Sequence, residues 1–322
     1  MGKYIRFCDT ALPWLLHLPS QPLMTLSPPL EKRFLKKPKI LEASHEFEQL
    51  AKKLDEEKIY DYSAYTYLAK ARCENLMGNV PSNEVQSLIM SGRQYIKELE
   101  HQVDGGKILN QDEIIASSIN SYSHAIKILV DQKNFVTAGN VCLEIGDILM
   151  RFGKYSESWI YYLKAAEYLA NIPYLFILSL QCMTSCKLKE YEYGNAFTVI
   201  DDLIEFCEDY IRDYDPGKIS HINFLIKQCC ITRILLLMII QPSTKNSKQI
   251  SILEDVYSSE NAFSGHEMPE TFSIIFKSFV IAWDEKDLQS LNMSHNDLSN
   301  FLDLEQQTLA DRIIDIGFHQ NT

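Results

Sequence analysis

The sequence predicts an all-α solenoid of stacked antiparallel helix pairs, and three observations carry that expectation. Helix breakers are scarce: the 322 residues hold 12 Gly and 11 Pro, and five of those Pro precede residue 30. No stretch sustains the alternation of apolar and polar residues that a half-buried strand needs. Residues Cys142 to Phe206 repeat one plan at helical spacing. In the first copy Ile145, Gly146 and Leu149 precede a Gly153-Lys154-Tyr155 break, after which Ser158, Tyr162 and Ala165 share a face. In the second, Leu188 precedes a break at Tyr191 to Gly194, and Ala196, Ile200 and Leu203 follow, with 38 residues from Ser158 to Ala196. Small residues at fixed offsets let two helices approach closely, and large ones fill the space between them. That is a tetratricopeptide-like arrangement in a slightly stretched period. Such units cannot bury their apolar faces alone, so the rest of the chain is expected to supply more pairs.

Taken in order, residues 1–29 carry Pro13, Pro19, Pro22, Pro28 and Pro29 among Trp14, Leu15, Leu16 and Leu18. They read as a poorly ordered leader. Residues 30–322 read as one helical solenoid, with a subdivision near 213–218 where Asp213-Tyr214-Asp215-Pro216-Gly217 makes a turn. A turn or two of helix at 30–37 is stopped by Pro38. The next helices are expected at Ile40 to Glu57, with the stripe Leu41, Phe47, Leu50 and Leu54, and at Tyr62 to Met77, ending at Gly78-Asn79. Ser82 reads as the N-cap of a helix from Asn83 to Gln102, and another is expected from Asp112 to Asp131. Helices follow at 136–151, 156–170, 174–189 and 195–212, where Phe135, Ala138 and Cys142 echo the offsets of Tyr155, Ser158 and Tyr162. The helix Ile219 to Ile240 is apolar nearly all round and is expected to be the most buried. A short helix from Ile250 to Tyr257 precedes one opened by Pro269-Glu270 that carries Phe272, Ile275, Phe276, Phe279 and Trp283. Asp297 to Ile316 is expected as the last.

The formal net charge of −12 argues against generic binding to nucleic acid or anionic lipid, which needs clustered cations. The eight cysteines form no CxxC pair. Cys182 and Cys186, four apart on a helix, would set two thiols side by side, but no second ligand pair accompanies them. Buried free thiols in a reducing compartment are the expectation. The apolar run Ile231 to Ile240 is ten residues long and holds Arg233, too short to span a bilayer, and Pro13 and Pro19 interrupt the leader. A cytoplasmic protein without direct membrane insertion is expected.

No HExxH, GxSxG, GxxxxGK[ST] or GxGxxG occurs, so no enzyme activity, cofactor or metal is expected. The carboxylate pairs Asp201-Asp202 and Asp284-Glu285 read as solvated helix faces, and His124 and His221 as surface or hydrogen-bonded residues. Lys32, Arg33, Lys36, Lys37 and Lys39 form the one basic cluster; docking on an acidic partner, nuclear import and a plain solvated face all stay open. Arg233, inside ITRILLLMII, must be paired, either in a structural ion pair or against a partner. Tyr60, Tyr62, Tyr65, Tyr67, Tyr161 and Tyr162 are interface anchors or fillers of the groove between helices.

The run Lys32-Arg33-Phe34-Leu35-Lys36-Lys37-Pro38, with Glu42-Ala43, Phe47-Glu48-Gln49-Leu50 and Ala69-Lys70-Ala71-Arg72-Cys73, resembles the family of the forty-kilodalton huntingtin-associated protein, or factor VIII intron 22 protein. The likeness resumes at Ile231-Thr232-Arg233-Ile234-Leu235-Leu236-Leu237 and Gln241-Pro242, and continues through Met268-Pro269-Glu270 and Glu285-Lys286-Asp287. It spans Leu30 to Leu309 in the same order. The leader differs from the Ala/Gly-rich start of mammalian members, and their Pro-rich insert is reduced here to about Asp213 to Ser220, which points to an invertebrate member.

The resemblance implies a solenoid scaffold that binds huntingtin one-to-one and stabilises it, with links to the small GTPase Rab5, early-endosome motility and a nuclear pool. The residues placed at the partner interface are then Lys32, Arg33, Phe34, Lys36, Lys37 and Arg233, the basic cluster fixing orientation more than affinity. A SNAP-like adaptor in vesicle fusion is the alternative, since the KAAEYL run at Lys164 to Leu169 would suit one; a hydrolase built on the repeat is another.

Overall fold

The computed structural model describes residues 40–78, 81–106, 110–212, 220–241, 247–258 and 269–320. These residues form thirteen α-helices, with no strand among them. The first four are α1 (Ile40–Glu56), α2 (Tyr60–Met77), α3 (Pro81–Asp104) and α4 (Gln111–Asp131). Then come α5 (Phe135–Arg151), α6 (Tyr155–Leu169), α7 (Pro173–Lys189), α8 (Tyr193–Arg212) and α9 (Ser220–Ile240). The chain closes with α10 (Ser247–Ser258), α11 (Glu270–Asp284), α12 (Leu288–Leu298) and α13 (Leu304–Gln320). Each helix packs on the next in sequence, which is the stacking expected of an all-α solenoid.

One joint, used five times, sets this order. At Lys58, Lys133, Gly153, Tyr191 and Lys286 the backbone turns left-handed, with φ between 58° and 72°. The N–H of that residue bonds three residues back and the next N–H bonds five back, as Lys133 to Val130 and Asn134 to Leu129. This closes the carbonyls of the finished helix. The second residue of the joint is also the N-cap of the new helix, so three residues reverse the chain and make neighbours antiparallel. Asn134 and Asp287 complete the device with side-chain oxygens that accept from Thr137 N–H and from Gln289 and Ser290 N–H.

A second recurring element joins α1 to α2, α3 to α4 and α5 to α6. Ser63, Ser118 and Ser158 each donate a hydroxyl to a carbonyl of the preceding helix: Ala51, Gly92 and Gly146, at 2.7–2.9 Å. Four residues after each stands a buried tyrosine, Tyr67, Tyr122 and Tyr162. Gly92 and Gly146 lie under the last two rings: a Cβ there would come within 2.6 and 2.5 Å of ring carbons. The small residue at this offset is thus where two helix backbones close together.

Two apolar cores meet at α5. Ala138, Val141, Ile145, Ile148 and Leu149 belong to a core built with α2, α3 and α4, whereas Cys142 and Leu143 belong to the larger one reaching α13. α9 is apolar nearly all round and buries eleven residues, packing against α8 and α13. By length and composition it alone among the described helices could cross a membrane, at mean hydropathy 1.7. Most of its apolar side chains are instead part of the larger core.

The C-terminal part differs from the expectation. The helix expected from Asp297 to Ile316 begins only at Leu304, as α13, and α12, with no counterpart in the expectation, precedes it. Asp287 caps α12, and Asp303 opens α13 in a reciprocal capping pair: Gln306 N–H donates to Asp303 Oδ1 at 2.8 Å and Asp303 N–H to Gln306 Oε1 at 3.1 Å. Gln306 then donates from Nε2 to the Gln228 carbonyl and Thr232 Oγ1, fixing α13 against α9 although 74 or more residues separate them. The third helix also starts earlier than expected, at Pro81, so Ser82 lies in its first turn and is no cap. The turn at 213–218 and the leader lie outside the described residues; α8 and α9, on either side of that turn, pack against each other.

Candidate binding surface

The odd helices α1, α3 and α5 are laced side by side by charge. Lys97 Nζ meets Asp55 at 2.8 Å; Arg93 clasps Glu144 through both carboxylate oxygens at 2.7 and 2.8 Å; Arg151 meets Glu100 at 2.6 Å. Arg93–Glu144 and Glu100–Arg151 share one offset of 51 residues, so α3 and α5 run in matched register. Tyr122 adds its hydroxyl to Glu144 at 2.6 Å. Burial would raise the Glu144 carboxyl, but the Arg93 and Tyr122 hydrogen bonds outweigh it and hold the group below its usual range. Burial, then the bond to Glu144, pushes the Tyr122 phenol well above its own range. This polar network holds helices in register and offers no free acid or base.

The thiols are equally quiet. Cys182 lies partly covered and Cys186 buried on α7, and burial pushes each up to about 11. Among the described residues no group of three or more His, Cys, Asp or Glu is placed to hold a metal. A hollow of about 470 Å³ lies between the α4–α5 joint and the end of α6, where Phe135 stacks on Tyr168 at 6.0 Å.

Of the residues expected at a partner interface, Lys32, Arg33, Phe34, Lys36 and Lys37 lie outside the described residues. Arg233 lies between α8 and α9, its Nη1 3.2 Å from Asp201 Oδ1, with side chains 14% and 20% exposed. Its Nε finds no hydrogen-bond partner among the described residues. The tyrosines divide: Tyr67 and Tyr162 are buried fillers, whereas Tyr62 and Tyr65 stand exposed on α2, Tyr65 edge-on to Tyr95 at 5.7 Å. His124 is exposed, and so is His221, whose ring stacks on Tyr174 at 5.3 Å.

That last pair belongs to a feature the sequence reading passed over. From the half-buried Phe176–Phe206 contact, at 4.6 Å, rings continue through Tyr210 and Tyr174 to His221, leading out to solvent across α7, α8 and α9. Tyr174 and Phe224, at the outer end, are 51% and 62% exposed. The signal was present as aromatics near the starts of two helices, but only the stacking of α7 beside α9 brings them together.

No protein-family model matches the chain. Two curated proteins similar to it are the 40-kDa huntingtin-associated proteins of Rattus norvegicus and Mus musculus. Each is 22% identical over 342 residues, an alignment covering 88% of this chain and 89% of the relative. The likeness is distant, but it spans most of both chains.

Proposed function

We propose that this chain is a member of the family of the 40-kDa huntingtin-associated protein and acts as a non-enzymatic scaffold that binds huntingtin one-to-one and stabilises it. The observation that carries the reading is the alignment with that protein over 88% of the chain. A match of this breadth takes in far more than one shared helix pair. The structure is compatible with it in kind. Several of its charges tie helix to helix in ladders, and five of the seven described thiols are buried, while apolar side chains such as Tyr62, Leu76, Phe224 and Leu304 stand exposed. Exposed apolar surface on a rigid helical stack is what a composite interface needs. A cytoplasmic protein with a nuclear pool, associated with early endosomes through Rab5, completes the proposal. Depletion of the protein in cells of its own organism tests the stabilising role. Huntingtin abundance should fall several-fold as the unpartnered protein is degraded; unchanged abundance would remove stabilisation from the proposal.

A further inference from the structure

The outer ends of α7 and α9 carry an apolar face with an acidic edge. On α7, Tyr174 and Leu178 stand one turn apart, 51% and 42% exposed. On α9, His221 and Phe224 stand one turn apart, with Phe224 62% exposed. The Tyr174–His221 stack sets the two helices side by side at this point. Along α8, Asp202, Glu205 and Asp209 are exposed and share the helical face of Phe206 and Tyr210, whose rings join the same chain. Asp209 pairs with Arg212 at 2.8 Å, and both side chains remain more than half exposed. The first fourteen residues of α7, Pro173 to Cys186, hold no charge.

We infer that this face receives a basic amphipathic helix of a protein partner. Exposed side chains one turn apart on two adjacent helices match the i, i+3, i+4, i+7 stripe of a docking helix. The carboxylates along α8 select a partner with Lys or Arg beside that stripe, and the tyrosine and phenylalanine faces attract the same cations. Two rival occupants fit the charge poorly. A second copy of this chain, at net charge −12, would set the acidic edge against an acidic surface, and an anionic membrane would be repelled. The inference goes beyond the function proposed above and does not depend on the identity of the partner.

The test uses the full chain and two labelled model peptides of about 18 residues, five turns of helix. One is amphipathic with Leu and Lys, the other with Leu and Glu. Fluorescence anisotropy should show the Lys peptide binding about tenfold or more tightly than the Glu peptide. Leu178→Ser with Phe224→Ser should weaken the Lys peptide by about tenfold, while circular dichroism and Tm stay unchanged. Ile274→Ser, at an exposed apolar site on α11, should leave it unaffected. Asp202→Asn with Glu205→Gln should weaken it several-fold and flatten its salt dependence. Equal binding of the two peptides, or binding indifferent to Leu178 and Phe224, would overturn the inference. So would a concentration-dependent dimer broken by Phe224→Ser, or patch-dependent binding to phosphatidylserine vesicles.

Discussion

At Gly146 the usual rule for a helical glycine reverses. Alanine in a helix interior is ordinarily favoured over glycine by about 1 kcal/mol. Here the added methyl would sit 2.5 Å from the buried Tyr162 ring, whose hydroxyl is anchored on Asp147 at 2.6 Å. The ring cannot swing aside, so Gly146→Ala should destabilise by about 1–3 kcal/mol through overpacking. Chemical denaturation decides it, and a stabilised variant would mean that the two helices are not in this contact. Lys286 presents the opposite case. It is exposed, and its φ of 59° serves only the turn. Lys286→Gly should therefore stabilise by about 0.5–1 kcal/mol, the left-handed penalty less the added chain entropy. Ser158 and Tyr162 were legible as a shared face. The same Ser-x-x-x-Tyr spacing at Ser63 and Ser118 was equally visible in the sequence, but only the hydroxyl-to-carbonyl contacts give it meaning.

Among the helices, α1 to α9 followed closely from periodicity and breaks, because each is long and most are bounded by a joint of Lys, Gly or Tyr with polar neighbours. The C-terminal region was harder to read for a physical reason. α12 is only eleven residues long and its start depends on the Asp287 cap, while α13 depends on the Asp303–Gln306 pair and on a contact with α9. Local periodicity does not contain such distant partners. α10 stands out by its thin packing on α9 and α11, with Val256 its one fully buried apolar side chain among those described. Few buried contacts mean low local stability. Hydrogen–deuterium exchange should find α10 exchanging fastest of the thirteen helices, and α5 and α9 slowest. Strong protection of α10 in the isolated chain would contradict that ranking.

For the whole molecule, helical identity and pair stacking were readable, whereas the cross-helix ladders and the α7–α9 aromatic face were not. Arg93 and Glu144 are 51 residues apart, and nothing local in either helix announces the other. The same holds for Tyr174 and His221. The partner of Arg233 was foreseeable in kind, a carboxylate, but its identity as Asp201 came only with the packing of α9 on α8. What the stack offers is a continuous series of packed helices, with two apolar cores meeting at α5. The central claim is that this stack serves huntingtin. Size-exclusion chromatography with light scattering, on the full chain coexpressed with huntingtin from the same organism, tests it most directly. The account predicts one peak with the summed mass of one copy of each. Separate elution of the two proteins, with this chain a stable monomer, would contradict it.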